Sequence, residues 1–147
     1  MTISRLPEVR FSSEGRSLAR GVLWLTALTF VGLGAASAFL PLFMAGVVEI
    51  GLPSATARVD FAATYGGFEL GFGAFLLICL RRSWIEAGLW AGAVALTGFA
   101  TVRLLTLVGS QASVRPVIYL ALALEVLGVV LNVWALKASR GVLGRSV

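Results

Sequence analysis

Residues 22–48 contain no Asp, Glu, Lys or Arg, and residues 61–80, 87–108 and 117–136 contain one such residue each. A helix crosses the hydrocarbon of a bilayer with about 20 apolar residues, at a rise of about 1.5 Å per residue. Each of the four stretches meets that length. Backbone in hydrocarbon must satisfy its own hydrogen bonds, and the two-residue alternation of a barrel strand is absent, so the stretches read as helices. The expected fold class is an all-α membrane protein, with spans at about 21–41, 57–80, 87–108 and 117–136. The connections at 81–86 and 109–116 are too short for anything but neighbouring helices of opposite direction, which predicts an antiparallel four-transmembrane-helix bundle. Composition agrees: 59% of the 147 residues are hydrophobic and 13% charged, where a soluble domain carries roughly 25% charged residues.

The chain has no histidine and one cysteine, Cys79. Internal disulfides, Cys-x-x-Cys redox chemistry, histidine-ligated haem and the usual zinc sites are therefore excluded, and neither a cofactor nor a metal is expected. The net charge of +5 does not imply nucleic acid, because the basic residues flank apolar spans instead of forming a stripe on a soluble face. They read as topology signals. Arg5, Arg10, Arg16, Arg20, Arg81, Arg82, Lys137, Arg140 and Arg145 fall on one side of the spans, against Arg58 and Arg115 on the other. Both termini, with tails at 1–20 and 138–147, are expected in the cytoplasm. Trp24, Trp84, Trp90 and Trp134 fall at the same inner ends, where indoles sit among headgroups. The arginine-rich start and Ala36-Ser37-Ala38 also resemble a cleavable signal peptide, but the apolar run continues to Val48, so a retained first span is expected. Pro41 should kink or end that helix. Residues 42–52 then read as an apolar interfacial segment, with Pro53 and Ser54 or Thr56 as start signals for the second span.

Each of the last three spans holds one ionisable residue: Glu69, Arg103 and Glu125. Such a residue at membrane depth costs about 2.5–3.5 kcal/mol on insertion scales, which marks it as a candidate functional group. Counting from the outer helix ends at about 1.5 Å per residue, all three share the outer half, and Arg103 is expected to contact Glu125 or Glu69. Two ionised carboxylates and one guanidinium sum to −1, so either Arg58 contributes from above or one glutamate keeps its proton. Arg58, Ala62, Tyr65 and Glu69, at i, i+4, i+7 and i+11, predict one polar stripe on the second span. Glu125, Gly128 and Asn132 share a face of the fourth, and Thr106 lies one turn beyond Arg103. Gly66, Gly67 and Gly71, Gly88 and Gly92, and Gly128 are candidate helix-packing positions. Cys79 reads as a small hydrophobe.

The run Asp60-Phe61-Ala62-Ala63-Thr64-Tyr65-Gly66-Gly67-Phe68-Glu69-Leu70-Gly71, with Gly98 and Arg103 in the third span and Glu125 in the fourth, resembles a family of bacterial four-helix membrane proteins, domain of unknown function 4345. The resemblance covers most of residues 20–137. It implies a four-helix membrane protein in which Tyr-Gly-Gly, a late arginine in helix three and a glutamate in helix four are the hallmarks, and it implies no particular activity. Members often carry an arginine three residues before the tyrosine, where this chain has Ala62; Arg58, one turn earlier, is the candidate replacement.

Three functions follow as expectations. The first is a bacterial inner-membrane protein that binds or moves a small amphipathic or lipophilic molecule in an outward-facing pocket. Its ligand-binding residues would be Arg58, Tyr65, Glu69, Arg103, Glu125 and Asn132, with Arg103 attracting an anionic or carbonyl head and Tyr65 donating a hydrogen bond. The second is a structural or accessory subunit whose Arg/Glu cluster locks helix packing. The third is an intramembrane acid–base enzyme using the two carboxylates. Membrane lipid is the expected partner in all three, with a second copy of the chain or another membrane protein as a further one.

Overall fold

The structure is a computed structural model that describes residues 13–110 and 113–140. Helix α1 spans Ser13–Phe39 and α2 spans Pro41–Val47. Helix α3, Ala55–Phe61, runs through a π-helical segment, Ala62–Gly67, into α4, Phe68–Arg81. Helices α5, Ile85–Gly109, and α6, Pro116–Arg140, complete the chain. No strand occurs among the described residues. Four helical stretches are long and apolar enough to cross a membrane: Gly15–Phe39, Ala55–Arg81, Ile85–Gly109 and Pro116–Ser139. The first helix begins earlier than residue 21 because the face that carries Leu23 extends back to Ala19, and both are buried in the core while Arg16 and Arg20 stay exposed. The remainder of the expected tails, 1–12 and 141–147, lies outside the described residues.

Local chemistry sets the breaks. Leu40 precedes a proline and leaves the helical region at φ −127°, ψ 50°, and Pro41 opens α2 at the position where its missing N–H costs nothing. The expected interfacial segment is thus partly helical. It ends with Glu49 at φ 60°, where Ile50 N donates to Ala45 O at 2.9 Å and Glu49 N to Gly46 O at 3.3 Å. That is a Schellman cap built on a non-glycine residue. Ser54 starts the second span, its hydroxyl accepting from Ala57 N at 3.1 Å. Helix α4 closes in the same way as α2, with Ser83 at φ 59° and Trp84 N donating to Cys79 O at 2.8 Å.

Helix α1 packs along α4 on one side and α6 on the other, α5 packs mainly on α6, and the seam between α4 and α5 is thin. Small residues set the closest approaches. A Cβ at Gly66 would lie 2.6 Å from Ala38 N, one at Gly34 would lie 2.6 Å from Leu70 N, and one at Gly73 would lie 2.7 Å from the Val31 side chain. On α1 the face is Ala27, Val31, Gly34 and Ala38, and residue numbers fall along it as they rise along the second span. Gly92 beside Asn132 and Gly128 beside Leu96 show the same opposed register for α5 and α6. Gly66, Gly88, Gly92 and Gly128 therefore sit at contacts. Gly67 and Gly71 do not, since a Cβ at either meets nothing within 4 Å. They share a face, but the face against α1 is the one carrying Gly66 and Gly73, seven residues apart.

The core lies at one end of the bundle. Its members include Leu23, Ala27, Phe30, Leu76, Cys79, Leu89 and Leu136. Buried residues of α5 stop at Ala93, and none of α6 precedes Asn132. Helices α5 and α6 are thus packed into the bundle near the 82–84 turn and more exposed towards the end that carries the 40–54 and 110–115 connections, where α1 and the second span remain in close contact. Large apolar side chains such as Val59, Val102, Leu105 and Val108 are 63–80% exposed. Water would penalise that surface, and hydrocarbon would not.

Candidate functional site

The open end holds a cleft of about 800 Å³ whose lining includes Phe68 from α4, Gly98, Phe99, Val102 and Arg103 from α5, and Ile118 from α6. With no buried residue on α5 beyond Ala93, the thin α4–α5 seam leaves a gap. Its walls are almost wholly apolar. The Thr106 hydroxyl donates to the Val102 and Arg103 carbonyls at 2.9 and 3.0 Å, so it is spent on the helix backbone. Arg103 is the charged residue of the lining.

Arg103 is fixed by Glu125 across the α5–α6 contact. Its Nε donates to Glu125 Oε1 and Oε2 at 3.1 and 3.0 Å, and its Nη2 donates to Oε1 at 2.7 Å. The side chains are 26% and 13% exposed. A guanidinium has five N–H donors. Glu125 takes Nε–H and one N–H of Nη2, which leaves the two N–H of Nη1 and the second of Nη2 without a protein acceptor among the described residues. One carboxylate thus holds the arginine while its outer edge stays available at the cleft.

The expected buried three-residue cluster is corrected to a half-buried pair. Glu69 stands against α1, its Cβ 3.0 Å from where a Cβ on Gly34 would be, and its Oε2 is buried without a hydrogen-bond partner. A buried polar atom left unsatisfied is costly, and Glu69 is the acidic side chain so placed. Arg58 does not reach the pair: it is exposed and its Nε donates back to Ser54 O at 3.4 Å. The predicted stripe from Arg58 to Glu69 is broken because the π-helical segment lies between them, and its i→i+5 bonding adds a residue to the turn and rotates the rest of the helix. Tyr65, within that segment, is 47% exposed and stacks on Phe61 at 4.7 Å.

Asn132 also departs from the expected group. It is fully buried in the packed half, where Nδ2 donates to Thr26 Oγ1 at 3.1 Å and to Gly128 O at 2.8 Å. Thr26 Oγ1 in turn donates to Val22 O at 3.0 Å. This chain of bonds ties α1 to α6 and is not part of the cleft. Sequence reasoning does not single out Thr26, although a hydroxyl in the middle of an uncharged span is a signal for an interhelical hydrogen bond.

These features define a small all-helical protein with four helices able to cross a membrane and an Arg–Glu pair at the edge of an open apolar cleft. The chain belongs to the family described as domain of unknown function (DUF4345), whose model matches residues 18–136. No curated protein and no solved structure matches the chain.

Proposed function

We propose that this is an inner-membrane protein, both termini cytoplasmic, that binds a small amphipathic or lipophilic molecule in the cleft beside Arg103. The single observation that supports it is the division of the Arg103 donors: two go to Glu125 and three face no protein acceptor among the described residues, at the one charged point of an apolar recess. Since Glu125 already neutralises the guanidinium, a neutral acceptor such as a carbonyl or ester suits the site better than a full anion. Phe68, Phe99 and Val102 would contact the apolar body. The opposed helix registers favour an antiparallel bundle, and the excess of basic residues near the termini supports an orientation with the open end outside.

Gly98 supplies the test, because it lines the cleft and a Cβ there meets nothing within 4 Å. Gly98→Leu fills the recess and leaves the ion pair intact. Mass spectrometry of material co-purified in native lipid particles should find a discrete amphipathic molecule with the wild type and lose it in this variant. Equal retention, or no such molecule with the wild type, would overturn the proposal.

A second reading, in which the pair is only a packing lock, is favoured by the full engagement of Glu125 by one arginine. It predicts that Gly98→Leu changes nothing beyond helix packing.

A further inference from the structure

At the packed end, α1 and α4 leave a shallow groove of about 270 Å³ lined by Trp24, Ala74, Leu77, Ile78 and Arg81. Trp24 is 46% and Ile78 50% exposed, so the groove opens on the outer surface of the bundle. Ala74 is small, which keeps its floor low. At its end stands Arg81, the last residue of α4, exposed and with no hydrogen-bond or ion-pair partner among the described residues. Arg20, one turn before Trp24 on α1, is likewise exposed and unpartnered.

Among the described side chains no acidic one pairs with Arg81 or Arg20. Glu49 pairs with Arg115 at the other end of the bundle, Glu125 pairs with Arg103, and Glu86 has a partner of its own. The groove therefore combines an apolar channel on the bundle surface, an indole at the depth where indoles meet headgroups, and an uncompensated guanidinium beyond the channel. A guanidinium presents two parallel N–H donors to a phosphate, and clustered basic residues next to a span favour anionic headgroups.

We infer that this groove holds one anionic glycerophospholipid, its phosphate on Arg81 and its acyl chain along Leu77, Ile78 and Trp24. A zwitterionic lipid fits less well, because its cationic group would be brought up to Arg81, the basic residue that lines the groove. A soluble phosphate would leave the apolar channel unused. The site is separate from the Arg103 cleft, and neither depends on the other.

The test is native mass spectrometry of the delipidated full chain in detergent, titrated separately with phosphatidylglycerol, phosphatidylcholine and glycerol phosphate. One phosphatidylglycerol should bind more tightly than phosphatidylcholine by about fivefold, the factor carried by a single basic residue near an anionic surface. Arg81→Gln should erase the difference and Arg82→Gln should keep it. Ala74→Phe, which fills the channel and leaves Arg81 in place, should also displace the lipid. Equal binding of the two lipids, an unchanged preference in Arg81→Gln or in Ala74→Phe, or displacement of the lipid by equimolar glycerol phosphate would each overturn the inference.

Discussion

Gly66 and Gly67 are adjacent in sequence and opposite in consequence. A Cβ at Gly66 would lie 2.6 Å from Ala38 N and 2.7 Å from Ala38 Cα and Cβ, all of them atoms that no rotamer change can move. Carbon atoms pack best about 3.5–4.0 Å apart, so Gly66→Ala forces α1 and the second span to part by about 1 Å. Overpacking of this kind costs about 1–3 kcal/mol. The upper part of that range applies here, because the same face carries the close approaches at Gly34 and Gly73 and a rigid helix cannot open at one level alone. Gly67 meets nothing within 4 Å, so Gly67→Ala adds no clash and gains up to about 1 kcal/mol in helix propensity. The expected difference between the two variants is about 2–4 kcal/mol. Reversible unfolding in mixed micelles, followed by circular dichroism as denaturing detergent is added, measures it. If Gly66→Ala is as stable as the wild type, or Gly67→Ala is equally damaged, α1 does not pack on the second span through Ala38 and Gly66.

Other perturbations act through single contacts. Arg103→Ala strands a carboxylate that is 13% exposed and should cost about 2 kcal/mol, less than a fully buried pair because the arginine retains some exposure. Adding Glu125→Gln should recover much of that loss in the same unfolding assay, and a double variant less stable than the single one would refute the pairing. Glu69→Met removes a buried oxygen that has no partner and should stabilise the fold by about 1 kcal/mol; a destabilised variant would mean the carboxyl is satisfied after all. Thr26→Val deletes the acceptor of Asn132 and should cost about 0.5–1 kcal/mol, with no effect on any molecule bound beside Arg103. Single cysteines at Glu49 and Ser113 should label from outside with a membrane-impermeant reagent, and one at Ser83 only after permeabilisation; the reverse pattern would invert the proposed topology.

The helices were legible in the sequence because the bilayer imposes one rule that a single chain already reveals: about 20 apolar residues per crossing, with backbone hydrogen bonds closed within each segment. The same rule made Glu69, Arg103 and Glu125 conspicuous, since charge is the exception inside such a run. Pro41 and Ser54 announced their breaks through local stereochemistry, which acts within a few residues of the chain. That Arg103 would pair with Glu125 or Glu69 was legible too, but which of the two it takes, and that Arg58 and the other glutamate stand apart, was not. Periodicity assumed an unbroken α-helix through the second span, and the π-helical segment over Ala62–Gly67 stands where the stripe from Arg58 to Glu69 had to continue. Which glycines make contacts was equally a tertiary matter, because Gly66 and Gly67 have the same chemistry and differ only in whether Ala38 stands opposite. Asn132 lies two turns from Glu125 in sequence, yet it bonds Thr26 in the packed half while Glu125 holds Arg103 in the open one. Hydropathy acts on each segment alone and so can be read from one chain. Hydrogen bonds and close packing between helices need a second surface at a defined distance, and only the assembled bundle supplies it.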